Sequence, residues 1–168
     1  QAEALQAQTG IPVVLLTAPL TGMDQTYRQV GAILGVTRRA EELARYCQQT
    51  IREVQNALAS LPEDKRLRVY YAEGGTGLET DPAGSFHTEV LDLVKGINVA
   101  QVASSGVGFG RTEVSIEQVL SWDPDLILVG YDKQAQDGFF KQIATLPQWQ
   151  PLQAVQQRQI YQIPFYPY

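Results

Sequence analysis

The chain predicts an α/β fold built on a central, mostly parallel sheet with flanking helices. Two observations predict it. Short apolar runs of strand length recur along the chain, as in Ile11–Leu16, Arg66–Glu73 and Asp125–Gly130. Such runs suit parallel strands buried on both faces. Between them lie stretches with helical periodicity, and alternation of the two signals implies a parallel or mixed sheet.

The elements follow in order. Ala2–Gln8 reads as helix and Ile11–Leu16 as a buried strand. A long helical stretch runs from about Met23 to Ser60. In its second half Ala40, Leu43, Ala44, Cys47, Ile51, Val54 and Leu58 form one apolar stripe at three-to-four spacing. Gly35 followed by Thr37 reads as a C-cap glycine and an N-cap threonine, so the stretch divides there. Leu61–Lys65 is a polar turn, Arg66–Glu73 a strand, and Gly74–Gly77 a loop. Ser85–Lys95 is expected as helix, Ile97–Val102 as strand, and Ser104–Thr112 as a glycine-rich loop. Ser115–Trp122 is a helix that opens on a capping box, with Ser115 as N-cap and Gln118 as its reciprocal partner. Asp125–Gly130 is a strand, Asp137–Ala144 and Pro147–Val155 are short helices, and Gln159–Pro164 is a last strand.

Composition excludes several classes. The net charge is −5, and no basic block extends beyond Arg38-Arg39, so no electrostatic footprint for nucleic acid is present. One cysteine, Cys47, rules out an internal disulfide framework. No apolar run approaches the ~20 residues of a membrane span, and no signal peptide is visible. The chain opens in the tail of a helix and stops abruptly on a strand, which leads us to expect a piece of a larger protein.

Ligands of such sheets sit beyond the carboxyl ends of the strands. That directs attention to the loops after Glu73, Val102, Gly130 and Ile163. Gly74-Gly75-Thr76-Gly77 lacks the Lys and Ser/Thr of a phosphate loop. Gly106–Gly110 places its third glycine one position early for a dinucleotide fingerprint. His87, the sole histidine, falls in the first turn of the Ser85 helix near the expected cleft; it is either structural or a ligand contact, and alone it cannot make a metal site. Arg111 either pairs with an anionic ligand through its planar fork or is a surface charge. Tyr131 and Tyr166 belong to a set of strand-end aromatics suited to flat, apolar ligands or to core packing. Glu117 either complements its helix dipole or is an exposed acidic contact for a basic partner. No catalytic triad, nucleophile elbow or paired carboxylate motif is present, so no enzyme is expected and no resident cofactor.

Several segments together resemble the iron-siderophore, haem and cobalamin binding proteins of ABC importers, whose two lobes are joined by a long helix. Gly10–Leu16 is similar to the last strand of the first lobe, and Gly31–Leu43 to the linker helix. Ser85–Ala100 resembles a helix ending in a Gly-Gly-x-Asn motif, with Lys95 in place of the first glycine. Val114–Val129 is the strongest match, and Trp149–Ile163 resembles the segment that leads into the last strand. The resemblance implies the C-terminal lobe of a helix-linked two-lobe binding protein. Residues 1–20 would be the tail of the N-terminal lobe, 21–60 the linker helical region, and 61–168 the C-terminal α/β lobe, incomplete at its end.

The resemblance also implies a function. Such proteins trap a ligand between two lobes and dock on a membrane permease through one exposed glutamate per lobe. Val114-Ser115-Ile116-Glu117-Gln118 matches the motif of the C-lobe glutamate, so Glu117 would be the docking residue. His87, Arg111, Tyr131 and Tyr166 are the expected ligand contacts on loop placement alone. The expected cargo is a small-molecule metal chelate, first of all a ferric siderophore, with haem, cobalamin and molybdate or tungstate as alternatives. The complete protein would be a periplasmic or extracytoplasmic monomer, with lipid anchoring left open. A flavodoxin-like enzyme or regulatory domain, or a dimerising scaffold, are the competing classes.

Overall fold

The computed structural model describes residues 2–16, 18–103, 110–130 and 138–164. They fall into two compact units, 1–54 and 55–168.

The first unit is helical. Helix α1 spans Ala2–Thr9, α2 spans Met23–Leu34, and α3 starts at Thr37 and runs to Ala57, across the boundary. Gly35 ends α2 in the left-handed conformation (φ 69°), which only glycine adopts without cost. Three contacts tie α2 to α3. Gly31 lies so close to the Ala40 side chain that a Cβ there would collide with it. Arg28 reaches Asp24 at 2.6 Å and Glu41 at 2.8 Å, and Gln48 donates to the same Asp24 oxygen at 2.6 Å.

Ile11–Leu16 is not a strand, contrary to the expectation from its apolar run. Ile11, Val14, Leu15 and Leu16 are all exposed, and the segment pairs with no strand among the described residues. An apolar run supplies the driving force for burial, but a strand also needs a neighbour to satisfy its backbone.

The second unit carries the sheet. Strands β1 (Arg68–Ala72), β3 (Ile97–Asn98), β5 (Leu126–Val129) and β6 (Ile160–Gln162) form a parallel sheet in the order β3-β1-β5-β6. A two-stranded antiparallel ribbon, β2 (Glu79–Thr80) with β4 (Thr112–Glu113), forms a second sheet joined to the end of β1 by a Glu73–Glu79 bridge. The sequence pattern did not predict this ribbon, because two-residue strands are too short to show alternation. The expected helix over Ser85–Lys95 is also shorter: a 3-10 turn at Phe86–Thr88 leads into α4, Glu89–Leu93.

Alternation on the strands builds the core on one face. Tyr70, Ala72, Ile127 and Val129 point to that face and are at most 3% exposed. Against them pack α5 (Ile116–Trp122), α6 (Gly138–Gln142) and α7 (Gln153–Gln156), with Val119, Phe139, Ile143, Trp149, Leu152 and Val155 in one apolar cluster. Phe139 meets Trp149 edge-on at 5.1 Å. The predicted capping box is formed: Ser115 Oγ accepts from the Gln118 backbone at 3.2 Å, and Gln118 Oε1 accepts from the Ser115 backbone at 3.0 Å. Lys95, where the resemblance expects glycine, takes a left-handed φ of 59°, and its ammonium donates to the Leu58 carbonyl at 2.6 Å.

Candidate functional site

The carboxyl end of β1 leads directly into Glu73. Its backbone exchanges hydrogen bonds with Glu79, 2.7 Å to the Glu79 carbonyl and 3.3 Å in return, which closes the Gly74–Gly77 turn. That glycine segment is structural. Gly77 abuts the Phe139 ring, and its carbonyl accepts from the buried Tyr70 hydroxyl at 2.9 Å.

Glu73 is 8% exposed. Arg111, just before β4, reaches its Oε1 at 3.3 Å and Glu79 Oε2 at 3.5 Å, while Glu73 Oε2 is buried with no hydrogen-bond partner. Burial pushes the Glu73 carboxyl up to about 7; the Arg111 charge pulls against this and neighbouring Asp81 adds to it. Partial burial works against the charge of Arg111, and Glu73 and Glu79 outweigh it. Burial also holds the Tyr71 hydroxyl well above its ordinary range. Gly130, at the end of β5, keeps space over this corner: a Cβ there would stand 3.2 Å from the Tyr71 hydroxyl and 3.3 Å from Glu73 Cγ.

A second polar cluster lies beyond the end of β3. Asp81 is fully buried. Asn98 donates to the Asp81 carbonyl at 3.0 Å and accepts from the Ala100 backbone at 2.9 Å, fixing the turn to the sheet. The Asp81 carboxylate accepts from Ser85 Oγ at 3.0 Å and meets His87 Nδ1 at 2.8 Å. A carboxylate only accepts, so Nδ1 carries the proton and Nε2 is left as the free ring nitrogen.

The two clusters flank a groove of about 620 Å³. Tyr71, Glu73 and His87 line it together with Leu128, Ile163 and the apolar side of α4. Of the residues singled out in the sequence, His87 lines the groove and Arg111 holds Glu73, a lining residue. Glu117 is exposed on the first turn of α5 and is not a lining residue. The Ser115 hydroxyl beside it holds its carboxyl below the usual range. Tyr131 and Tyr166 lie outside the described residues. Sequence reasoning missed Glu73 and Asp81. The available signal was an acid directly after a core strand, in Tyr70-Tyr71-Ala72-Glu73.

Among the described residues no three His, Cys, Asp or Glu side chains gather as metal ligands. Two polar anchors face a mostly apolar wall.

The family model described as periplasmic binding protein matches residues 1–167. The chain belongs to the periplasmic binding protein family. An ABC transporter solute binding protein from Sulfurospirillum deleyianum DSM 6946 superposes on this family member with a TM-score of 0.85 at 32% identity, covering 96% of this chain and 49% of that one. The molybdate-binding protein MolA of Haemophilus influenzae is 24% identical over 145 residues, 86% of this chain and 39% of MolA. The haem-binding protein RhuT from Roseiflexus sp. RS-1 shares the fold, with a TM-score of 0.73 at 21% identity over 95% of this chain and 60% of that one. The chain thus spans less than half the length of the first two. The expected parallel sheet with flanking helices is the fold found.

Proposed function

We propose that this periplasmic binding protein is the solute-binding component of an ABC importer, capturing a ferric siderophore between two lobes and delivering it to a membrane permease. In this reading residues 1–20 end a first lobe, 21–60 link, and 61–168 form the second lobe. The observation that carries the chelate reading is the groove beyond the sheet's carboxyl ends. Its 620 Å³ lies within the ~300–1,000 Å³ of small-molecule sites, and its apolar wall suits the organic shell of a chelate. His87 contacts the ligand and Arg111 positions Glu73; Tyr131 and Tyr166, outside the described residues, are further ligand contacts in this reading. Glu117 docks on a basic permease surface, where charge complementarity aids encounter and orientation. The place of action is periplasmic or extracytoplasmic; among the described residues no helix is long and apolar enough to cross a membrane.

A second reading, an oxyanion cargo, is favoured by the likeness to MolA and by Arg111. An oxyanion site is rich in donors, whereas the groove is lined largely by carbon. Calorimetric titration of the full-length protein with a ferric siderophore, haem, cobalamin and molybdate separates the two. Saturable binding of the siderophore, tighter than about 1 μM (roughly −8 kcal/mol), is the expected result. Binding of molybdate alone would replace the chelate reading with the oxyanion one. No binding by a folded protein would end both.

A further inference from the structure

The unused chemistry of the groove lies at Glu73. Its side chain is 9% exposed, yet it lines the groove; Oε2 is buried outside any full hydrogen bond, with only the Tyr71 hydroxyl and Asp81 acting on the carboxyl from nearby. A buried polar atom left unpaired costs free energy that a ligand hydrogen bond recovers. Its other oxygen is held by Arg111, so the carboxyl cannot swing away to find water without breaking that pair.

The surrounding charges select what can approach. Three carboxylates, Glu73, Glu79 and Asp81, stand around one guanidinium and one imidazole. The Arg111 fork faces Glu73 and Glu79, and an anion would have to compete with both. His87 gives its proton-bearing Nδ1 to Asp81, and in its neutral form the ring presents Nε2 as an acceptor. Thr88 spends its hydroxyl on the Ser85 carbonyl at 3.0 Å. With a neutral His87 ring the groove offers acceptors at both polar anchors, and the Tyr71 hydroxyl in its lining is turned to Glu73.

We infer that Glu73 is the polar anchor of the bound cargo, accepting from a cationic or hydrogen-bond-donating group, and that the site selects neutral or cationic chelates over polyanionic ones. This rests on the chelate reading above and names the charge class of its cargo. Glu73 reaches the cargo through Oε2, while Arg111 acts only by fixing the carboxyl through Oε1. The apolar wall of α4 and Leu128 takes the uncharged remainder of the ligand.

The test uses one iron core with three charges. Ferrioxamine B carries a free ammonium; its N-acetyl derivative is neutral; its N-succinyl derivative is anionic. Titrated at low salt and at pH 8, above the range in which the Glu73 carboxyl holds its proton, into the full-length protein, they are expected to bind in the order cation, neutral, anion, with Kd spread by about tenfold or more from end to end. Glu73→Gln is expected to compress that spread to within about threefold. Equal affinities across the wild-type series, or tightest binding of the anion, overturn the inference while leaving the chelate reading intact. Failure of all three to bind, with ferric tris-catecholate also silent, sinks the chelate reading and this one together. Because the wild-type series needs no variant, a Glu73→Gln protein that fails to fold does not protect the inference.

Discussion

The two faces of the parallel sheet are made by the same strands and have opposite fates. On one face Tyr70, Ala72, Ile127 and Val129 vanish under α5, α6 and α7. On the other, Tyr71 and Leu128 are half-buried along the groove, and Tyr161 and Ile163 are exposed. Neighbouring residues on one strand thus answer to different demands: Tyr70 fills the core and Tyr71 borders a cavity. The lesson is that apolar content alone does not separate core from binding wall in an α/β lobe. What separates them is whether helices cover the face, and the polar groups of the groove face gather where the strands end.

The comparison breaks most readily by truncation. Trp149 is fully buried against Phe139 and Tyr70, so Trp149→Ala is expected to cost about 3–5 kcal/mol. Leu128→Ala, on the groove face, removes a side chain that already meets solvent and is expected to cost less than about 1.5 kcal/mol. Urea unfolding midpoints measure both. Equal costs would show that the groove face is packed as tightly as the core and is no ligand wall.

The Glu73 corner sharpens the same contrast through pH. Its carboxyl is raised from 4.5 to about 7 in the fold. The folded protein therefore holds a proton that the unfolded chain has released between those values. Its contribution to stability is fully present below 4.5 and lost as pH rises through about 7. Glu73→Gln is expected to remove this slope and to gain about 1–3 kcal/mol relative to wild type at pH 8. Tyr71, Glu79, Asp81, His87 and Arg111 face the same corner and remain in both proteins, so the difference between the two pH–stability curves reports Glu73 together with its coupling to these neighbours. Parallel curves would show that Glu73 titrates normally and that its burial is relieved by water.

How much of this was legible in the sequence follows from the physics of each signal. β1 and β5 were readable because a strand buried in a parallel sheet is a continuous apolar run, and Ser115–Trp122 because a capping box is a local exchange of hydrogen bonds. Ile11–Leu16 misled because apolar residues declare a wish for burial without naming a partner. The β2–β4 ribbon was invisible because its pairing spans about thirty residues and only two on each side. His87 was noticed for its rarity, but its orientation depends on Asp81 and, behind it, Asn98 seventeen residues away. Glu73 is a single acid in a strand-end pattern; nothing local says whether it turns to solvent or into a pocket.

Helix α5 carries the contrast between structure and function on a single turn. Ser115 caps the helix, and Glu117, two residues on, is exposed beside it. Val119 on the opposite side of the helix is fully buried in the core, so the cap stabilises an element that the core needs. Ser115→Ala is expected to cost about 1 kcal/mol, read as a lower melting temperature. Glu117→Gln keeps the size of the side chain and touches no core residue, so the melting temperature is expected to stay near wild type, short only of the small gain a charge draws from the helix N-terminus and the Ser115 hydroxyl. Its effect belongs to the proposed docking role: ligand affinity unchanged, but uptake in permease-containing vesicles reduced severalfold, most strongly at low salt where charge steering is least screened. A Glu117→Gln protein that melts like Ser115→Ala and transports like wild type would place Glu117 with the cap, as a helix-terminus charge and nothing more.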